Sequence, residues 1–117
     1  MDGRAGANAD DPSNSFVCFH HWLYARIRID LGRPVDIDRI NSFSWHSATR
    51  APQVYRLFAS DGALPEFNAS PGRGVDPAKC GWQFLAFVDT RRSLNPAEMA
   101  GQYTASIRSA AGGIGRY

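Results

Sequence analysis

The most constraining feature of the chain is a run of strict two-residue alternation at residues 26–31. Arg26, Arg28 and Asp30 fall on one side of an extended ribbon, and Ile27, Ile29 and Leu31 fall on the other. That period predicts a half-buried β-strand, which Gly32, Arg33 and Pro34 then break. The pattern restarts at Val35 and Ile37 and slips by one residue before Ile40, which implies a bend near Asp38. Residues 41–47 alternate again, with Phe43 and Trp45 on one face and serines and His46 on the other. The apolar face is the expected core face.

The rest of the chain has the same texture. Residues 53–60 read as a strand with Tyr55 and Leu57 on one side and Val54, Arg56 and Phe58 on the other. Ser60, Asp61 and Gly62 supply the chemistry of a hairpin turn. Residues 69–81 have glycines, prolines and charges without a sustained apolar period and read as an irregular excursion. Residues 82–88 are apolar on both faces, as a central strand covered on both sides would be. Asn95, Pro96 and Glu98 stand in the order of an N-cap, a first-turn proline and a capping acid, which predicts a single helical turn. Tyr103, Ala105 and Ile107 alternate with Thr104, Ser106 and Arg108 in a last strand. Eleven glycines and seven prolines punctuate these short segments.

Five or six short strands with almost no helix predict an all-β fold, an antiparallel β-sandwich or jelly roll. The 117 residues suffice for one domain, 1–117. The closing stretch from Gly112 to Tyr117 reads as a turn leading into a further strand, so the final strand of the sandwich is expected to be missing. No apolar run approaches the roughly 20 residues of a membrane-spanning helix. No export signal is visible at the N-terminus, so the chain is expected either to remain inside the cell or to be a piece of something longer. Cys18 and Cys80 allow one disulfide at most, or two separate thiols.

Thirteen basic and eleven acidic side chains leave a formal charge of +2, with the arginines scattered and not gathered into a stripe, which argues against nucleic acid as a partner. No nucleophile elbow, phosphate-cradling glycine loop or working pair of carboxylates is present, so the chain is expected not to be an enzyme. His20, His21 and His46 lack zinc-binding spacing.

Five segments, in order, resemble a known family. "IRIDLGRPVDI" at 27–37 resembles the signature that opens the first long strand of discoidin domains, also called coagulation factor 5/8 type C domains. "ANADD" at 7–11, "SWHSATRAPQVYRLFASDG" at 44–62, "GWQFLAFVDT" at 81–90 and "GGIGRY" at 112–117 are similar to its other landmarks. The resemblance implies an eight-stranded jelly roll of the galactose-binding-like kind, an extracellular or cell-surface location and a role in carbohydrate binding or adhesion. It also implies a structural calcium in the early loop, where Asp10 or Asp11 would match the carboxylate ligand; the alternative for these two is an Asx turn or cap. No other cofactor is called for. The sequence departs from the family pattern at Asp10, Asp11 and Pro12, and residues 18–24 are unusually apolar and histidine-rich for it.

Recognition in such a scaffold falls to the loops at one end. With strands alternating in direction, the segment before Arg26, the loop 47–52 and the excursion 69–81 are expected to share a rim, with the turns at Gly32 and Asp61 at the other end. The first rim would gather His20, His21, Trp22, His46, Arg50 and Arg73, with Trp82 at its edge, mostly in the core. Sugars present a flat apolar face and a ring of hydroxyls, so an aromatic plate with a few planar hydrogen-bonding groups suits them. Trp22 is either that plate or a core filler. His46 is either a donor to a ligand hydroxyl or a solvated loop histidine. Arg50 either points to a ligand or bonds loop carbonyls. The expected function is a non-catalytic module that binds a glycan terminus with an affinity of roughly 0.1 to 1 mM. The alternatives are a protein- or lipid-adhesion module, or a ligand-free accessory domain packed against other domains of a longer secreted enzyme.

Overall fold

The computed structural model describes residues 25–47, 50–92 and 95–108. These are mostly strands: β1 (Arg39–His46), β2 (Val54–Ala59), β3 (Gln83–Asp89) and β4 (Gly101–Arg108), with 3₁₀ turns at Pro77–Cys80 and Pro96–Glu98. The fold is all-β. β1 pairs antiparallel with β4, and β2 antiparallel with β3, giving two two-stranded sheets in which the inner pair of strands is nested within the outer pair along the chain.

The strand readings at 53–60 and 103–108 agree with β2 and β4. Tyr103 is buried, Ala105 and Ile107 are half-buried, and Gln102, Thr104, Ser106 and Arg108 are exposed. The expected N-cap at residue 95 is also present: Asn95 Oδ1 accepts from the Ala97 N–H at 3.1 Å, and Asn95 Nδ2 donates to Glu98 Oε1 at 3.1 Å, a side-chain bond in place of the reciprocal backbone bond of a capping box.

Four expectations are overturned. Residues 26–31 do not form a strand. Ile27 and Ile29 are 62% and 61% exposed, because among the described residues no neighbouring ribbon lies against their apolar side. A side chain anchors this segment instead. The Arg26 guanidinium donates to the carbonyls of Pro71 (2.7 Å), Gly72 (3.3 Å) and Val75 (2.5 Å).

The faces of β1 are reversed. Phe43 is 74% and Trp45 45% exposed, while His46 is buried and Ser42 and Ser44 are half-buried. Small hydroxyls occupy the inner face because the other sheet supplies their partners. Ser42 Oγ donates to Gln53 Oε1 at 2.5 Å and lies 2.6 Å from Tyr55 Oη, and Ser44 Oγ donates to the Ala51 carbonyl.

β3 is not a central strand covered on both faces. It pairs with β2 alone among the described residues, and both Phe84 and Phe87 are exposed. Phe84 meets Phe58 edge-on across the ladder, with ring centroids 5.5 Å apart.

The turn at Ser60, Asp61 and Gly62 forms, with Gly62 N–H donating to Ser60 Oγ (3.1 Å) and Ala63 N–H to Asp61 Oδ1 (3.0 Å), but it does not close a tight hairpin. The chain continues through residues 60–82 before β3 begins. This excursion is tied back on itself. Ser60 Oγ donates to the Gly81 carbonyl (2.6 Å), and the Asn68 N–H donates to the Cys80 carbonyl (3.1 Å). Gly81 adopts φ +78°, and a Cβ there would stand 3.0 Å from the Phe67 Cα, so both conformation and space require glycine. Cys80 is a half-buried free thiol.

The buried apolar residues among those described are few: Ala51, Ala59, Val88 and Tyr103. Gln53 joins the sheets. Its amide donates to the carbonyls of Ser42 (3.2 Å) in β1 and Tyr103 (3.1 Å) in β4, while its backbone exchanges bonds with Thr90 at the end of β3.

Candidate functional site

Of the residues expected at the rim, His20, His21 and Trp22 lie outside the described residues, as do Asp10 and Asp11 of the expected calcium loop, Cys18 and the closing stretch 112–117. The structure brings His46 and Arg50 together, with Arg50 Nη2 2.8 Å from His46 Nε2. A guanidinium has no acceptor, so Nε2 accepts this bond. His46 is therefore buried and engaged with the protein, while Arg50 keeps an exposed position above it.

Arg73 is elsewhere. The β2–β3 register places Val54 opposite Asp89 and Ala59 opposite Gln83. Loop 47–52 leads into the first of these ends, and the excursion holding Arg73 leaves the second. The single shared rim is thus divided, because residues 62–68 contribute no returning strand to bring the chain back. The excursion instead joins the Asp61 turn and the segment at Arg26. Trp82, expected mostly in the core, is only half-buried there, its indole N–H donating to the Asn68 carbonyl (2.8 Å) and its ring tilted against Phe67. An open cleft of about 240 Å³ beside it is lined by Leu64 and by the carboxylate-bearing Asp61 and Glu66.

A chemically distinctive surface among the described residues is the outer face of the β1–β4 sheet. In the antiparallel register Arg39 stands opposite Arg108, Asn41 opposite Ser106, Phe43 opposite Thr104 and Trp45 opposite Gln102. All eight side chains are on the exposed side of their strands. Directly opposed residues hold their Cβ atoms about 4.5–5.5 Å apart, and alternate residues along a strand are about 7 Å apart. Two aromatic rings therefore lie in a row, each flanked by a hydroxyl or carboxamide of the neighbouring strand. His46, the next residue along β1, faces the opposite side of the sheet and is buried.

Phe43, Trp45, Gln102, Thr104, Arg39 and Arg108 are absent from the rim read in the sequence. The signal that could have found them was the row Ser42, Ser44 and His46, whose polar groups suit a bonded interior once Gln53 and Tyr55 are recognised as partners.

At the neighbouring end of β3, Asp89 and Arg91 form an ion pair. The Arg91 side chain and then its backbone N–H donate to the carboxylate and hold the Asp89 pKa at about 2, with burial opposing them and the guanidinium charge adding least. Arg92 lies with its guanidinium carbon 5.3 Å from the centre of the Tyr103 ring.

Among the described residues no group of three or more His, Cys, Asp or Glu side chains is placed to hold a metal ion, and no helix is long and apolar enough to cross a membrane. The chain matches no protein-family model, no curated protein and no solved structure.

Proposed function

We propose that this chain is a non-catalytic carbohydrate-binding module and that the outer face of the β1–β4 sheet is its platform. The observation that carries this reading is the pairing of Phe43 with Thr104 and of Trp45 with Gln102 on one exposed face. An aromatic ring stacks on the apolar C–H face of a sugar, while an adjacent amide or hydroxyl bonds its equatorial oxygens. Exposed aromatics at this density are costly to leave in water, and patches of this kind mark binding surfaces.

The discoidin resemblance favours the same ligand class and a single galactose-binding-like jelly roll over 1–117. The nested pairing of β1 with β4 around β2 and β3 is the winding expected of such a roll, and supports it. In this reading the module works outside the cell or at its surface, attached to other domains, and gains avidity from them. In this reading Trp22, His21 and Arg50 add further ligand contacts, and Asp10 or Asp11 holds a structural calcium.

The test is a titration with neutral galactose oligosaccharides, followed by the indole N–H resonances of the three tryptophans. The Trp45 signal should move with a dissociation constant of roughly 0.1 to 1 mM, and Trp45→Ala should abolish binding while leaving the fold intact. Absence of any tryptophan shift at tens of millimolar sugar sinks the proposal.

A further inference from the structure

We infer that the glycan taken by this platform is anionic, with a carboxylate or sulfate group seated between Arg39 and Arg108; this rests on the carbohydrate reading above. The two arginines stand directly opposite each other across the ladder, both exposed. Like charges in that position repel and weaken a strand pair. Among the described residues neither guanidinium has a hydrogen-bond or ion-pair partner, and Asp38, next along the chain, forms no ion pair with either.

The strands themselves contain no remedy. β1 reads RINSFSWH and β4 reads GQYTASIR, without one acidic residue, although eleven acids are distributed over the chain. A face built from two strands therefore has aromatic plates at one end, Asn41 and Ser106 in the middle, and an uncompensated pair of forked donors at the other. Guanidinium forks match the planar oxygens of carboxylate and the tetrahedral oxygens of sulfate. From Arg39 to Phe43 the strand advances about 13 Å, so the ligand must be an oligosaccharide long enough to place its anionic group at one end while another sugar stacks on the rings.

A single-stranded nucleic acid also combines stacking faces with negative charge. It fits less well, because its phosphates recur at every nucleotide, whereas the residues paired across the ladder with Phe43 and Trp45 are the uncharged Thr104 and Gln102.

The experiment compares four probes by Trp45 indole shifts: a neutral galactan tetrasaccharide, the matching galacturonate tetrasaccharide, a sulfated galactan tetrasaccharide, and a short oligouridylate. The galacturonate or the sulfated sugar should bind about tenfold more tightly than the neutral one at low salt, as expected for one added charge-assisted pair. The advantage should shrink at 300 mM salt. The double variant R39Q/R108Q should remove the advantage, bringing the acidic sugars to the affinity of the neutral one, with far-UV circular dichroism reporting that the sheet persists. Whichever acidic sugar gains more identifies the anionic group. Equal binding of neutral and acidic sugars overturns this inference and leaves the carbohydrate reading standing. Loss of all sugar binding overturns both, and tighter binding of oligouridylate than of either acidic sugar reassigns the face to nucleic acid.

Discussion

The side-chain amide of Gln53 donates to the carbonyl of Tyr103 at 3.1 Å, joining residues 50 apart in sequence and linking one two-stranded sheet to the other. The same amide reaches the Ser42 carbonyl and accepts from the Ser42 hydroxyl, so one polar side chain serves where a larger protein would use a layer of apolar ones. With few buried apolar residues described, that linkage is expected to matter more than a surface hydrogen bond would.

Gln53→Ala should therefore destabilise the domain by about 2–3 kcal/mol, since it leaves the Ser42 hydroxyl and two carbonyls in a partly buried seam with fewer partners. Urea denaturation monitored by tryptophan fluorescence measures this. A loss below about 0.5 kcal/mol would show that the sheets are held together by other contacts.

Tyr103 separates ring from hydroxyl. The residue is buried, Arg92 lies over its ring, and its hydroxyl has no hydrogen-bond partner among the described residues. Tyr103→Phe should thus be neutral within about 0.5 kcal/mol or slightly stabilising, whereas Tyr103→Ala should cost about 3–5 kcal/mol through the cavity it leaves. The same denaturation curves distinguish the two.

The Asp89–Arg91 pair sets an acid limit. Asp89 has its pKa lowered to about 2 in the folded chain, so the folded state binds a proton less readily than the unfolded one. Its contribution is present above the unfolded value of about 4 and is lost as pH falls from there through about 2. Carboxyl carbon chemical shifts should show an Asp89 midpoint near 2 in low salt, rising toward 4 in Arg91→Gln. A midpoint near 4 in the unaltered protein contradicts the pairing.

Ile29 tests the reversal of the first strand reading. As a residue 61% exposed and outside any ladder, it should tolerate Ile29→Thr within about 0.5 kcal/mol. A loss above 1.5 kcal/mol would mean that its apolar side is covered.

Local chemistry was legible wherever it closes on itself. The N-cap at Asn95, the turn bonds at Ser60 and Asp61, and the inward row Tyr103, Ala105 and Ile107 all follow from side chains acting on their own neighbourhood. Alternation announced β1 as a strand but not which face it buries. The apolar residues Phe43 and Trp45 lie outward because Ser42, Ser44 and His46 meet bonding partners from residues 50–55 on the inside.

That 39–46, 54–59 and 101–108 are strands and that the chain turns at Ser60 and Asp61 belong to the order of residues, since period and turn chemistry act within a few positions of the chain, whereas whether 26–31 becomes a strand depends on a partner. Which face is buried, which end of β2 carries Arg50 and which carries Arg73, and that Arg39 opposes Arg108 belong to the assembled molecule. Those relations depend on the register between strands up to 69 residues apart and on whether each polar group finds a partner when the sheets meet.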